Sequence, residues 1–215
     1  MKNKFKTYIV HYHRLIDRKA NLEKVLIQQG IEYEFISLYD RDNLSKDNLA
    51  SFTSMEKPNI ANFLSHIEIY KYLIKNNQDY CLILEDDSIP VSKFNSKISK
   101  YLNKLPSDFD LFYISPGKGN FHIPLAARKP FKYVYKKENK ETDWGGHGGT
   151  RFADGYFISN KCANILVNEF HNNKISESID WWKNKMIEKY ELEVYWAEPT
   201  LMKTNLYTTS IPYDK

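Results

Sequence analysis

The sequence predicts an α/β domain with a mostly parallel central sheet, and three observations carry that prediction. Strand-like and amphipathic helical segments alternate through the first half of the chain. The run Tyr80-Cys81-Leu82-Ile83-Leu84 is apolar without interruption and ends in Glu85-Asp86-Asp87. Runs of this kind are strands buried on both faces, which requires helices on each side of the sheet. Finally, no internal repeat and no Pro- or Ser-rich linker divides the 215 residues, so residues 1–215 read as a single domain of ordinary size.

Taken in order, residues 7–12 are β-branched and aromatic and precede a polar break, as a strand does. Asp17 stands where it can cap a helix whose apolar Leu22, Val25 and Leu26 share a face, and Gly30 is placed to end it. Residues 31–38 alternate apolar and polar, the pattern of a half-buried strand. Residues 40–58 are polar and rich in turn formers, a surface loop with room for one helical turn. Residues 60–76 form an amphipathic helix with Phe63, Leu64, Ile67, Tyr70, Leu73 and Ile74 facing inward. Beyond the acidic strand end, residues 92–105 read as a helix and 109–114 as a strand. The second half is less regular. Residues 121–135 look like a hairpin and 142–154 are a Gly-rich loop. Residues 155–159 are a strand, 160–170 and 180–189 are helices, and 193–196 are a late strand.

Composition removes several functional classes. The 31 basic and 27 acidic side chains leave +4, with both signs interleaved, too weak a field for a nucleic-acid footprint. Sixteen tyrosines and twelve phenylalanines argue against disorder and for an interior that leans on rings, whose hydroxyls need partners. Every apolar run falls far short of the ~20 residues of a membrane span. The basic N-terminus leads only into Tyr8-Ile9-Val10 before His11, which does not read as a secretion signal. Cys81 and Cys162 have no metal-ligand spacing and sit among apolar residues, as buried thiols of a reducing compartment do. A cytoplasmic protein without a transmembrane segment is the expectation.

Four constellations carry chemistry. Glu85-Asp86-Asp87 directly follows a buried strand and concentrates negative charge at the carboxyl edge of the sheet, where open α/β sheets bind ligands. If strand geometry persists, Glu85 and Asp87 point to one face and Asp86 to the other. Hard oxygen ligands suit Mg²⁺ or Mn²⁺; the same triplet also reads as a solvated turn that caps the next helix. Gly145, Gly146, Gly148 and Gly149 let the backbone approach a ligand closely. His147 among them reads as a ligand to metal or phosphate, or simply as an exposed side chain. Asp180 beside Trp181 and Trp182 suits a sugar ring, and equally reads as a helix N-cap beside core tryptophans. Arg14 and Arg18, four apart, meet an anion or belong to a solvated helix face.

In this order the features resemble glycosyltransferase family 25, the lipopolysaccharide and collagen galactosyl- or glucosyltransferase family, over most of the chain. The segment from Tyr8 to Arg14, with Arg18, is similar to the family's opening strand, and Ser65-His66 to its Ser-His helix. The segment Leu82-Ile83-Leu84-Glu85-Asp86-Asp87 resembles its strand and acidic motif, and Gly155-Tyr156-Phe157-Ile158-Ser159 with Ala163 its Gly-Tyr-x-Ile-Ser segment. Ile179-Asp180 sits where the family has a late Asp, and Glu198-Pro199-Thr200-Leu201 is similar to its closing segment. The chain departs at His11-Tyr12, where Asn-Leu is usual, and at Ala61-Asn62, where Gly-Cys is expected.

The resemblance implies a GT-A fold, the Rossmann-like fold of nucleotide-diphospho-sugar transferases. It implies transfer of galactose or glucose from a UDP-sugar to a glycan, lipopolysaccharide or protein hydroxyl, with inversion. Its site would hold Mn²⁺ or Mg²⁺ on Asp87 and Glu85, with His147 as a further ligand. The nucleotide-sugar would lie against His11, Arg14, Arg18, Ser65, His66, Asp86 and Gly155. Asp180 would draw the acceptor proton, with Asp154 in reserve, and the Gly-rich loop would close over the donor to exclude water. Two rivals are a two-carboxylate glycoside hydrolase, which needs neither metal nor nucleotide, and a non-catalytic sugar- or nucleotide-binding module.

Overall fold

The computed structural model describes residues 5–116, 123, 128–137 and 153–204. The elements run β1 (Thr7–Val10), α1 (Ile16–Gln28), β2 (Tyr33–Ile36), α2 (Lys46–Ala50), α3 (Lys57–Lys75), β3 (Tyr80–Glu85), β4 (Ser88–Pro90) and α4 (Phe94–Leu102). They continue with β5 (Leu111–Tyr113), β6 (Val134–Lys136), β7 (Gly155–Ser159), α5 (Asn160–Asn172), α6 (Ile179–Lys189), β8 (Val194–Ala197) and β9 (Met202–Thr204). Among the described residues, no helix is long and apolar enough to cross a membrane.

Seven strands form the central sheet in the order β2-β1-β3-β7-β5-β8-β6. Their side chains alternate between two cores, as a period of two requires. Cys81 and Ile83 of β3, Tyr156 and Ile158 of β7, and Leu111 and Tyr113 of β5 pack on one side with α3, α5 and α6. Leu82 and Leu84, Phe157, and Phe112 pack on the other with Leu22 and Leu26 of α1 and Phe94 and Ile98 of α4. Every residue from Cys81 to Leu84 is fully buried, which is why that segment reads as an unbroken apolar run.

The helix ends follow from local chemistry. After α1, Gly30 takes φ +63° while its N–H donates to Ile27 and that of Ile31 to Leu26. This is a Schellman closure, which favours glycine because a left-handed residue suffers no Cβ clash there. Asn77 closes α3 and Glu191 closes α6 in the same way, at φ 47° and 48°. Asp17 does not cap α1, however. The N-cap is Leu15, and Asp17 lies in the first turn, where its charge meets the helix dipole. The helix expected over 92–105 is confined to Phe94–Leu102, preceded by Lys93 at φ 59°.

Five of the seven sheet strands point the same way, and β7 and β6 are reversed. β7 inserts antiparallel between β3 and β5, and β6 runs antiparallel to β8. Alternation of apolar residues is blind to strand direction, so the reversals left no mark on the sequence pattern. Among the described residues, the partner of β6 is β8, not a second strand within 121–135. The short pair β4–β9 was not foreseen, since three residues ending in Pro90 carry too little pattern.

The reversal of β7 brings its first residue, Gly155, to the carboxyl edge of the parallel strands. A Cβ on Gly155 would lie 3.0 Å from Ser115 Cβ, 3.3 Å from Met202 Cγ and 3.4 Å from Ser88 Oγ. The backbones close tightly here, and a methyl group must push the strand ends apart. Gly155→Ala is expected to lower stability by roughly 1–3 kcal/mol, the usual range for overpacking, read by urea denaturation. A variant as stable as the wild type would show that Ser115 and Met202 yield freely.

Candidate active site

The strand register assembles the site. β1 and β3 pair with Val10 opposite Glu85, so His11 and Asp86 emerge side by side. β3 and β7 pair with Leu84 opposite Gly155, and the Glu85 N–H donates to the Asp154 carbonyl at 3.1 Å. Ser115, just past β5, reaches the same place: its hydroxyl donates to Asp154 Oδ2. His11, the acidic triplet, Ser115 and Asp154 thus share one sheet edge.

Within the triplet the carboxyls diverge. Asp86 turns inward and is buried, accepting from His11 Nδ1 at 2.8 Å and from Arg18 Nη1 at 3.0 Å. The same Arg18 nitrogen is 3.6 Å from Asp87 Oδ2, so one guanidinium from α1 addresses two acids. Glu85 faces α3 instead. Asn62 Nδ2 donates to its Oε1 at 3.1 Å, and His66 Nε2 lies 3.5 Å from that oxygen. Strand geometry stops at Glu85, so Asp87 sits in the turn and is not a repeat of Glu85 on the same face.

A cleft opens between this edge and the first half of α3, lined among others by His11, Tyr12, Arg18, Asn62, Ser65 and Asp87. At its mouth the Arg41 guanidinium lies 3.8 Å from the centre of the Tyr12 ring, and the Tyr12 hydroxyl donates to Asp42 at 2.8 Å. Arg14 stands outside, largely exposed and paired with Asp42 at 2.8 Å. Ser65 is buried, with its hydroxyl donating to the Ala61 carbonyl at 2.8 Å. His66 is enclosed, its Nδ1 2.8 Å from the Tyr156 hydroxyl, which meets the Tyr70 hydroxyl at 2.6 Å.

Asp180 lies in the first turn of α6, but the N-cap is Ser178, whose hydroxyl donates to Asp180 Oδ1 at 2.5 Å. The two tryptophans beside it part company. Trp182 packs edge-on against Phe63 at 5.0 Å, while Trp181 is 55% exposed. Ser115 and Lys183 were not singled out from the sequence, and Asn62 was marked only as a departure from the family pattern, not as a partner of Glu85. Lys183 left a trace in its spacing of three from Asp180, which puts both on one helical face. Residues 142–152 of the Gly-rich loop, His147 included, lie outside the described residues.

Burial and like charge perturb these acids. Burial, then the proximity of Glu85 and Asp86, raises the Asp87 carboxyl against the pull of Arg18. Burial raises Glu85 too, against the hydrogen bond from Asn62. Asp154 is pushed up to about 7 by burial, against the Ser115 hydrogen bond and with Glu85 and Asp87 adding to the rise. A cluster of carboxyls held near neutrality is a place for proton transfer or for a cation.

Against known proteins, a model described as glycosyltransferase family 25 (LPS biosynthesis protein) matches residues 4–182. Procollagen galactosyltransferase 2 of Homo sapiens is 23% identical over 230 residues, covering 94% of this chain and 35% of that protein. The Mus musculus protein of the same name is 24% identical over the same shares. The chain therefore spans about a third of the length of the curated relatives it matches. The crystal structure of a glycosyltransferase involved in glycosylation of the major capsid of PBCV-1 superposes with a TM-score of 0.52 at 8% identity, covering 91% of this chain and 82% of that one; the likeness is one of fold.

The raised Asp154 carboxyl has a definite pH signature. An unfolded Asp ionises near 3.8 and the folded one near 7, so between those values the folded chain binds the extra proton and stability falls as pH rises. Asp154→Asn keeps the shape and removes the ionisation. Relative to the wild type, this variant is expected to gain stability steadily from about pH 4 to 7 and then level off, measured by urea denaturation with EDTA present. A difference that does not vary with pH would remove the buried carboxylate from the account.

Proposed function

This chain belongs to glycosyltransferase family 25, and from that premise we propose that it moves a hexose, galactose or glucose, from a UDP-sugar to a hydroxyl of a glycan, lipopolysaccharide or protein acceptor. The reaction is metal-dependent and inverts the anomeric carbon. The fold is of the GT-A type. The observation that carries the reading is the meeting of Glu85, Asp86, Asp87 and Asp154 at one sheet edge beside the cleft under α3.

The donor set fits a hard divalent cation. Asp86 is committed to His11 and Arg18, whereas Glu85 and Asp87 carry raised carboxyls that a cation would discharge. Among the described residues no group of three or more His, Cys, Asp or Glu could hold a metal ion; Mg²⁺ and Mn²⁺ commonly use one or two carboxylates and complete their shell with phosphate and water. Asp87 and Glu85 would hold the ion, and when bound it supplies the positive charge that a departing diphosphate needs. Asp86, locked between His11 and Arg18, orients the turn that carries Asp87. The nucleotide enters the cleft along His11, Tyr12 and Ser65, with Arg18 at its floor. Asp180 takes the proton from the acceptor hydroxyl as its oxygen attacks the face opposite the leaving group. Asp154 is the alternative base, favoured by its position near pH 7 but only 6% exposed.

Nucleoside diphosphate release across UDP- and GDP-sugars, with and without EDTA, tests the reading. UDP-hexose turnover that EDTA abolishes is expected; turnover that survives EDTA would overturn the metal dependence. Asp87→Ala is expected to abolish turnover and to weaken UDP binding only when Mn²⁺ is present, with the fold retained. Wild-type turnover in that variant would discard Asp87 as a ligand.

Asp180→Asn separates base from scaffold, because Ser178 holds the N-cap position and an Asn can still accept its hydroxyl. Loss of a general base costs ~10²–10⁴-fold in rate, so kcat is expected to fall by that much while UDP affinity stays unchanged. Near wild-type transfer would move the role to Asp154.

A further inference from the structure

A turn just before β6 has no part in the reaction as described. The Lys132 N–H donates to the Lys129 carbonyl at 3.2 Å, closing four residues around Pro130 and Phe131. Phe131 takes φ 60°, at the third position, where such turns favour glycine or asparagine because a bulky side chain is strained there. The other non-glycine residues at positive φ among the described residues are all polar: Ser54, Asn77, Lys93 and Glu191. The Phe131 ring is nevertheless 87% exposed, more than any other large apolar side chain among the described residues. A lone exposed ring is ordinary on a protein surface; one held out against backbone strain is not. Glycine would serve the turn better, so the fold gives no reason for the ring.

The turn is firmly held. The Lys129 N–H donates to the Tyr135 hydroxyl at 2.8 Å, and the Glu198 N–H to the Tyr133 carbonyl at 3.0 Å. Arg128 pairs with the buried Glu198 at 2.8 Å, and Tyr133 stacks on Tyr101 with ring centres 5.1 Å apart. Its surroundings are basic: residues 128–137 read Arg-Lys-Pro-Phe-Lys-Tyr-Val-Tyr-Lys-Lys, without an acid. Arg128 and Lys136 are paired with Glu198 and Glu193, while Lys129 and Lys132 stand exposed on either side of Phe131. The register then places the turn. Val134, the first residue of β6, pairs with Ala197 at the end of β8, and β8 runs in the direction of β5 and β3. The turn therefore lies at the carboxyl edge of the sheet, the edge of Glu85 and Asp87, four strands along from β3, or roughly 20 Å.

We propose that the Phe131 turn is a membrane-surface anchor: the ring enters the headgroup region of a bilayer containing anionic phospholipid, and Lys129 and Lys132 meet the phosphates there. A ring at a turn tip between two lysines supplies both terms that hold a peripheral protein on such a surface, apolar burial and attraction to anionic lipid. A soluble anion would satisfy the lysines and leave the ring in water. A second copy docked through the same turn would set lysine against lysine. An anionic bilayer meets the ring and the charges together. Lipid binding is independent of the transfer reading, but its consequence rests on that reading: the anchor brings the edge with the donor site to an acceptor hydroxyl carried on a lipid.

The experiment is sedimentation of the full chain with vesicles of phosphatidylcholine alone, or with about one-third phosphatidylglycerol, alongside melting temperature. Wild type is expected to sediment with the anionic vesicles and not the neutral ones, and to be released as salt rises from about 0.1 to 0.5 M. Phe131→Gly, which accepts φ 60° without strain, is expected to fold as the wild type does and to lose about tenfold in vesicle affinity. Replacing Lys129 and Lys132 together by Gln is expected to lose about as much. Should Phe131→Gly fail to fold, Phe131→Asn, which also tolerates this φ, carries the same comparison. Equal vesicle binding by wild type and the glycine variant overturns the proposal, and so does a wild type that ignores anionic vesicles. Self-association without lipid that Phe131→Gly abolishes, with no vesicle binding, would assign the turn to a second copy instead. Vesicle binding by a chain that turns over no UDP-sugar would uphold the anchor and overturn the transfer reading alone.

Discussion

Burial of β3 on both faces is the constraint on which the rest of the structure depends. Its four central residues alternate between two cores, so helices must cover both sides, and the strand cannot shift register without driving side chains from one core into the other. With β3 held in that way, its end is held too. Glu85, Asp86 and Asp87 leave the sheet at a fixed height, and β1 and β7 are paired to it residue by residue. The position of the acidic edge is thus a consequence of apolar packing, not of any attraction among the acids.

Those acids repel one another, and the fold compensates them locally. Arg18 reaches across from α1, where its Nη1 meets Asp86 and approaches Asp87. On the opposite side, Asn62 donates to Glu85 and Ser115 to Asp154, and Lys183 of α6 is buried with its Nζ 3.5 Å from the centre of the Tyr156 ring. The compensation is incomplete: burial and mutual repulsion leave Glu85, Asp87 and Asp154 holding protons more tightly than ordinary carboxylates. A site that remains short of positive charge suits a cation and by itself repels phosphate, in keeping with the proposed metal-assisted donor binding. In that reading, stability given up in the resting protein becomes binding strength when the missing charge arrives.

The departures from the family pattern also have physical content. His11, where asparagine is usual, donates from Nδ1 to Asp86 and so joins Arg18 in fixing that carboxyl. Asn62, where cysteine is expected, gives Glu85 a hydrogen bond that a thiol would make only weakly. Both residues hydrogen-bond the acidic triplet directly.

The sequence by itself determined the α/β class, the strands that are buried on both faces, the main helices and the acidic edge, because periodicity and an unbroken apolar run are local records of burial. It also marked Asp154, just before Gly155, and Asp180, beside two tryptophans, without saying what they touch. The direction of β7 was decided only in the tertiary structure, since an alternating strand reads alike from either end, and that reversal is what carries Asp154 to Glu85. The same holds for the split within the triplet. Three adjacent acids look equivalent in sequence, yet Asp86 is claimed by His11 and Arg18 while Glu85 turns to Asn62. Lys183 is the clearest case: a lysine on a helix reads as solvated, and only the packing of α6 against Tyr156 shows that its charge lies inside.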